Sequence, residues 1–140
     1  MGDETARYRY GVVLSHHDPG YLELRWLPAT AEMTDEDWMT GLMVLATEAA
    51  AIGTSAILIE ATQFGHSFAD RDACMTWRDE HVIPLYNRAG VKRFAFVMPN
   101  GFPGPTAESG GQPQIDGSTA QFLTQWFLDR SAAVAWLERG

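Results

Sequence analysis

The sequence predicts a single α/β domain built on one mixed, mostly parallel sheet of about five strands. Three observations predict it. Short runs rich in aromatic and β-branched residues alternate with longer segments of helical periodicity. Ala56-Ile57-Leu58-Ile59 is an unbroken apolar run, as in a strand buried on both faces. Asp18-Pro19-Gly20 joins the first two strand-like runs with turn chemistry.

The elements follow in order. Residues 7–14 alternate and read as a strand. Residues 21–27 alternate more clearly, with Leu22, Leu24 and Trp26 on one face and Glu23 and Arg25 on the other. Together they form a β-hairpin. Thr34 can cap a first helix, and Asp35, Glu36 and Asp37 meet the positive end of its dipole. Trp38, Leu42, Leu45, Ala46 and Ala49 form its apolar stripe, and Gly53 marks its end. Residues 56–59 are the next strand. Asp70 can cap a second helix over 71–89, with Cys74, Trp77, His81 and Leu85 as its stripe. Pro84 lacks a backbone donor and predicts a kink or restart. Gly90 is its C-terminal cap. Residues 92–98 are a further buried strand, and 119–127 alternate as the last one. Asp129 caps a final helix that runs to Gly140.

The stretch 99–117 holds four prolines and five glycines. That composition predicts a flexible surface loop. The order is therefore ββαβαβ, loop, βα, with helices packed on a largely parallel centre and an N-terminal hairpin at its margin.

Composition narrows function. The chain has 140 residues, 46% hydrophobic and 20% charged, which is enough for one folded core. Its net charge is −8. Nucleic-acid binding needs cations to replace phosphate counterions, and ten Lys and Arg among eighteen acids do not supply them. One cysteine, Cys74, excludes an intramolecular disulfide and fits a reducing compartment. The polar, acidic N-terminus predicts no secretory signal, and Ala6 stands where a myristoylation motif wants Ser or Thr. No apolar run is long enough to span a membrane. These features predict a soluble, cytoplasmic protein.

Three places carry a family resemblance. Met33-Thr34-Asp35-Glu36-Asp37 opens the first helix, Ile57-Leu58-Ile59 ends in Glu60 before a loop, and Phe127 to Leu137 closes in Ala-Val-Ala-Trp-Leu. In this order they resemble STAS-type domains, the fold of anti-sigma-factor antagonists, and more closely the small stand-alone STAS/SEC14-like bacterial proteins of unknown function. The resemblance implies a binding or regulatory module. Its switch serine would fall near Ala69. Ser67 is close but lacks the Asp-Ser-Ser-Gly context, so the resemblance implies a member without the phospho-switch serine. The 99–117 stretch departs from the family, where a helix often sits.

The candidate site is the loop after the 56–59 strand. Open α/β sheets bind ligands at the carboxyl ends of their strands. Glu60, Gln63, Phe64, His66, Ser67 and Asp70 lie there, with Thr62 among them. One reading is a small-ligand or partner-docking site, with Phe64 and Phe68 exposed. A second is an enzyme in which His66 acts as acid or base beside Glu60 or Asp70. A plainer one has Asp70 capping a helix, Thr62 and Ser67 satisfying turn amides, and His66 solvated.

Other chemistry is not built. His16-His17-Asp18 has no accompanying ligand spacing and reads as a solvated hairpin tip. His81 reads as a locally satisfied helix residue. Gly65-His66-Ser67-Phe68 is not a nucleophile elbow. Pro103 and Pro105 remove donors that a phosphate loop requires. The Trp, Met and Phe residues could line a lipid or aromatic pocket, although Trp38, Trp77 and Trp136 fit core packing. No catalytic residue, metal site or cofactor is assigned. The leading reading is a non-enzymatic binding or regulatory module, with a protein partner or small ligand at 60–70. The aromatic last strand points to a homodimer.

Overall fold

In a computed structural model that describes residues 2–139, the chain forms one six-stranded mixed sheet with strands in sequence order. The strands are β1 Gly2–Tyr8, β2 Gly11–His16, β3 Tyr21–Trp26, β4 Ala56–Glu60, β5 Arg93–Val97 and β6 Leu123–Phe127. The β1–β2 and β2–β3 pairs are antiparallel. The remaining three pairs are parallel. The α-helices are α1 Asp35–Ile52, α2 Arg71–His81, α3 Ile83–Ala89 and α4 Arg130–Glu138.

The additional strand is β1. Residues 2–8 are polar and give no apolar alternation, because an edge strand exposed to solvent needs none. The expected single strand over 7–14 is instead broken at Arg9 and Tyr10, which turn the chain between β1 and β2. In the next turn the left-handed residue is Asp18 (φ 54°), not Gly20. Aspartate tolerates that region better than most side chains.

The helix signals act as the residue types require. Thr34 and Asp37 form a reciprocal capping box at α1, and Gly53 (φ 72°) ends it. Asp70 caps α2 through the Ala73 amide, and Asp129 caps α4 through that of Ala132. Proline at position 84 splits the expected long helix at Val82, and Gly90 adopts the left-handed conformation at the end of α3. Gly140, expected as the end of α4, lies outside the described residues.

Two apolar clusters flank the sheet. Leu22, Leu24, Trp26, Ile57, Ile59 and Phe94 face α1, α2 and α3. Tyr21, Leu58, Ala95, Val97 and Phe127 face α4. Of the stripe expected on the second helix, Cys74 is buried, Trp77 and Leu85 are half-buried, and His81 is exposed beside Glu80. That helix packs chiefly against other helices and so has a narrow buried face. No helix among the described residues is long and apolar enough to cross a membrane.

Gly41 is the point where α1 meets the sheet. A methyl group there would overlap the Tyr8 hydroxyl and the Trp26 indole. Gly41→Ala gains about 0.5–1 kcal/mol in helix propensity but incurs about 1–3 kcal/mol of overpacking. A lower denaturation midpoint is expected. A rise would show that α1 can shift freely over β1 and β3.

Candidate functional site

The segment between β5 and β6 does not form a helix. Prolines at 99, 103, 105 and 113 deny it the donors that one needs. Residues 99–117, expected as a flexible loop, run as a strap around the β6 edge of the sheet, with one short 3-10 turn, Ala107–Ser109, packed on the α4 side. Gln114 bridges to Thr124 on the open edge of β6. Glu108 accepts the Leu128 and Asp129 amides at 2.9 and 3.2 Å. Gln125 donates to the Gly111 carbonyl at 2.9 Å, and Arg78 of α2 reaches Asp116 at 3.0 Å.

Beneath the strap lies a cavity of about 900 Å³. Small-molecule sites span about 300–1,000 Å³. Its floor is the sheet face of β5 and β6, where Phe94, Phe96, Thr124 and Trp126 come into register. Phe94 pairs with Thr124, and Phe96 with Trp126, whose rings lie nearly parallel at 5.8 Å. Phe122 stacks on Phe94 at 5.6 Å with the rings inclined by 24°. Phe102 and Ile115 on the strap, and Met75 and Tyr86 on the helices, complete much of the wall. Phe96, Phe102 and Trp126 are half-buried, so their rings are not fully covered by protein. The helices α2 and α3 pack chiefly on α1 and on each other, which leaves β5 and β6 to be covered by the strap alone.

The 60–70 loop supplies only part of this site. Phe64 and Phe68 line the cavity, half-buried, with edge contacts to Trp26 at 5.4 Å and Trp38 at 5.2 Å. Gln63, Ser67 and Asp70 are exposed and are not among the wall residues. His66 is tied to a carboxylate, but its partner is Asp35 of α1 at 2.8 Å, rather than Glu60 or Asp70. An ionised carboxylate only accepts, so the His66 Nε2 carries the proton. Asp35 also accepts the Asp70 and Ala69 amides at 2.9 and 3.1 Å. The Asp70 amide, with those of Ala69 and the imidazole, holds the Asp35 carboxyl down at about 2. Burial pushes the nearby Cys74 thiol up to about 11, away from thiolate chemistry. This knot fixes the loop to α1.

Glu60 points to the opposite sheet face. There Arg130 Nη1 donates to Glu60 at 2.9 Å, and Nη2 donates to Glu23 at 2.7 Å and to the Tyr21 hydroxyl at 3.2 Å. Glu23 is fully buried and also meets Arg25 at 3.0 Å and His16 at 2.7 Å. Its burial would raise its carboxyl, but Arg130, Arg25 and His16 reverse this and hold it below the usual range. His16, expected at a solvated turn tip, is therefore mostly enclosed and stacks on Tyr21 at 4.2 Å. His17 beside it is exposed. Among the described residues, no cluster of His, Cys, Asp or Glu is arranged to hold a metal ion.

Sequence reasoning missed the floor residues Phe94, Phe96 and Trp126, which read as ordinary strand core. The signal was available in combination: rings at alternate positions on two strands, joined by a segment that cannot make a covering helix. The Glu23–Arg130 pair also left a trace. An arginine at the first position of a helix opposes the helix dipole and needs compensation. Comparison with known proteins gave no match to a protein-family model, a curated protein or a solved structure.

Replacing Arg130 with Met leaves Glu23 buried with weaker compensation, at an expected loss of about 3 kcal/mol at neutral pH. The loss should shrink as pH falls and Glu23 takes up a proton. Adding Glu23→Gln should restore much of it. Equal stability of the wild type and Arg130→Met in urea would refute the clamp. Asp35 carries the same sign. Its folded value lies below its usual 3.8, so its stabilisation is complete above that value and lost as pH falls towards about 2. Asp35→Asn should lower neutral stability and flatten that acid limb.

Proposed function

We propose that this chain is a small-molecule-binding module that takes an apolar, ring-bearing ligand under the strap. One observation carries this reading: a cavity of about 900 Å³ whose floor and walls are built from Trp26, Phe64, Phe94, Phe96, Phe122 and Trp126. Aromatic rings offer large contact areas and defined stacking geometries to such a ligand. A half-open aromatic surface of this kind is uncommon in a chain with no use for it.

The STAS-like resemblance belongs to this proposal. The hairpin-first order, the Met33–Asp37 helix opening and the Ala-Trp-Leu close support it. It adds a regulatory sense, in which ligand occupancy is what a partner would read. The alternative enzyme with His66 as acid or base has less support. That ring is engaged by Asp35, only 4% of its side chain is exposed, and it lies outside the cavity wall.

Titration with the neutral fluorescent probe N-phenyl-naphthylamine tests the proposal. Saturable binding to one site is expected, with quenching of tryptophan emission because Trp26, Trp38 and Trp126 line the cavity. Phe96→Ala and Trp126→Ala should each weaken binding about tenfold, equivalent to roughly 1.4 kcal/mol, with the circular dichroism spectrum retained. Unsaturable binding, or variants that bind as the wild type does, would sink the proposal.

A further inference from the structure

We infer that the ligand of this cavity is an organic cation, an apolar ring-bearing body with one delocalised or quaternary positive charge. The inference rests on the aromatic-cavity reading and adds the sign of the charge. Two features of the wall give the sign, and a third marks it as a place where a ligand would sit.

The first is the wall itself. The faces of Trp, Tyr and Phe rings carry negative quadrupole potential and attract cations that hold little hydration. A compact ammonium would lose strong hydration there. A delocalised or fully substituted cation would not.

The second is the charge of the wall. Two guanidiniums, Arg71 and Arg78, line it with three carboxylates, Asp72, Asp79 and Asp116. Arg71 and Asp72 are exposed neighbours on the first turn of α2 and largely cancel. Arg78 lies between the other two carboxylates, at 3.0 Å from Asp79 and 3.0 Å from Asp116. One carboxylate charge is left in excess at that end of the cavity. An anionic ligand would have to draw Arg78 away from two acids. The net charge of −8 on the whole chain acts in the same direction at long range.

The third is Tyr86. It lines the cavity and is 2% exposed. Its hydroxyl is a buried polar atom with no hydrogen-bond partner among the described residues. Such a group costs stability where it stands. As both donor and acceptor it offers a ligand a polar contact within the wall, whichever the sign of the charge.

Two probes of nearly equal shape and opposite sign decide the matter. Tetraphenylphosphonium and tetraphenylborate are titrated into the full chain by calorimetry, each in competition with N-phenyl-naphthylamine. The phosphonium should bind at least about tenfold more tightly than the borate, and this preference should shrink at high salt. Asp116→Asn and Asp79→Asn should each reduce phosphonium affinity several-fold more than they change the affinity of the neutral probe. Borate binding as tightly as phosphonium, while the neutral probe still binds, overturns the cation and leaves the apolar-ligand reading intact. Failure of all three probes to bind overturns both. A preference for phosphonium that both aspartate variants leave unchanged also overturns the inference, because the charge would then not reside in this wall.

Discussion

Between Val97 and Leu123 the chain must join two parallel strands without the helix that usually makes such a connection. Prolines 99, 103, 105 and 113 impose this constraint, because each lacks the amide that a helix interior requires. A helix there would lie flat on β5 and β6 and bury their side chains. The strap instead touches the sheet at separated points, through Gln114 at the edge of β6 and Glu108 at the start of α4. The rings of Phe96 and Trp126 therefore face a gap. The cavity, its aromatic lining and the acidic cluster at Asp116 all follow from this one missing element.

The other face of the sheet is closed by a short helix that charge pins at both ends. Arg130 ties the start of α4 to Glu23 and Glu60. Arg93 ties its end, donating to the Trp136 carbonyl at 2.8 Å and resting 4.8 Å from the Trp136 ring centre. The second contact agrees with the helix dipole, whereas the first opposes it. That opposition is resolved because Glu23 and Glu60 supply two carboxylates where the dipole supplies positive potential. With α4 fixed in this way, Phe127 and Leu137 close that side. The cavity of about 900 Å³ lies on the opposite, strap side of the sheet.

Local physics explains which features were legible in the sequence. Thr34, Asp70 and Asp129 act through hydrogen bonds three residues away, so sequence spacing fixes their roles as caps. The order of β2 to β6 follows from runs whose flanks carry turn chemistry. By contrast, β1 is a solvent-facing edge and needs no apolar pattern. Glu23 alternates as a solvent-facing residue should, but α4 returns from over a hundred residues away to cover it. His66 meets Asp35 across 31 positions, and no spacing rule connects them. The candidate loop was legible as a place, and Phe64 and Phe68 do reach the cavity. The floor of the wall comes from β5, β6 and the strap, brought together only by the parallel register.

A half-covered aromatic floor would be hazardous without the strap. Phe94, Phe96 and Met98 alternate on a strand next to β6, and β6 would otherwise be an open edge. Open edges beside apolar faces invite pairing with other chains. The strap pairs Gln114 with that edge and places Phe102 and Ile115 over the floor. It shields the strand without filling the space above it. Each ring left half-covered forgoes stabilisation of roughly 25 cal/mol per Å² of apolar surface. A ligand that completes this burial binds only the folded chain. At a hundredfold excess over its dissociation constant it would add about 2.7 kcal/mol of stability. Under the proposed function, occupancy and stability would be coupled by the same uncovered surface, which the strap leaves open because it cannot become a helix.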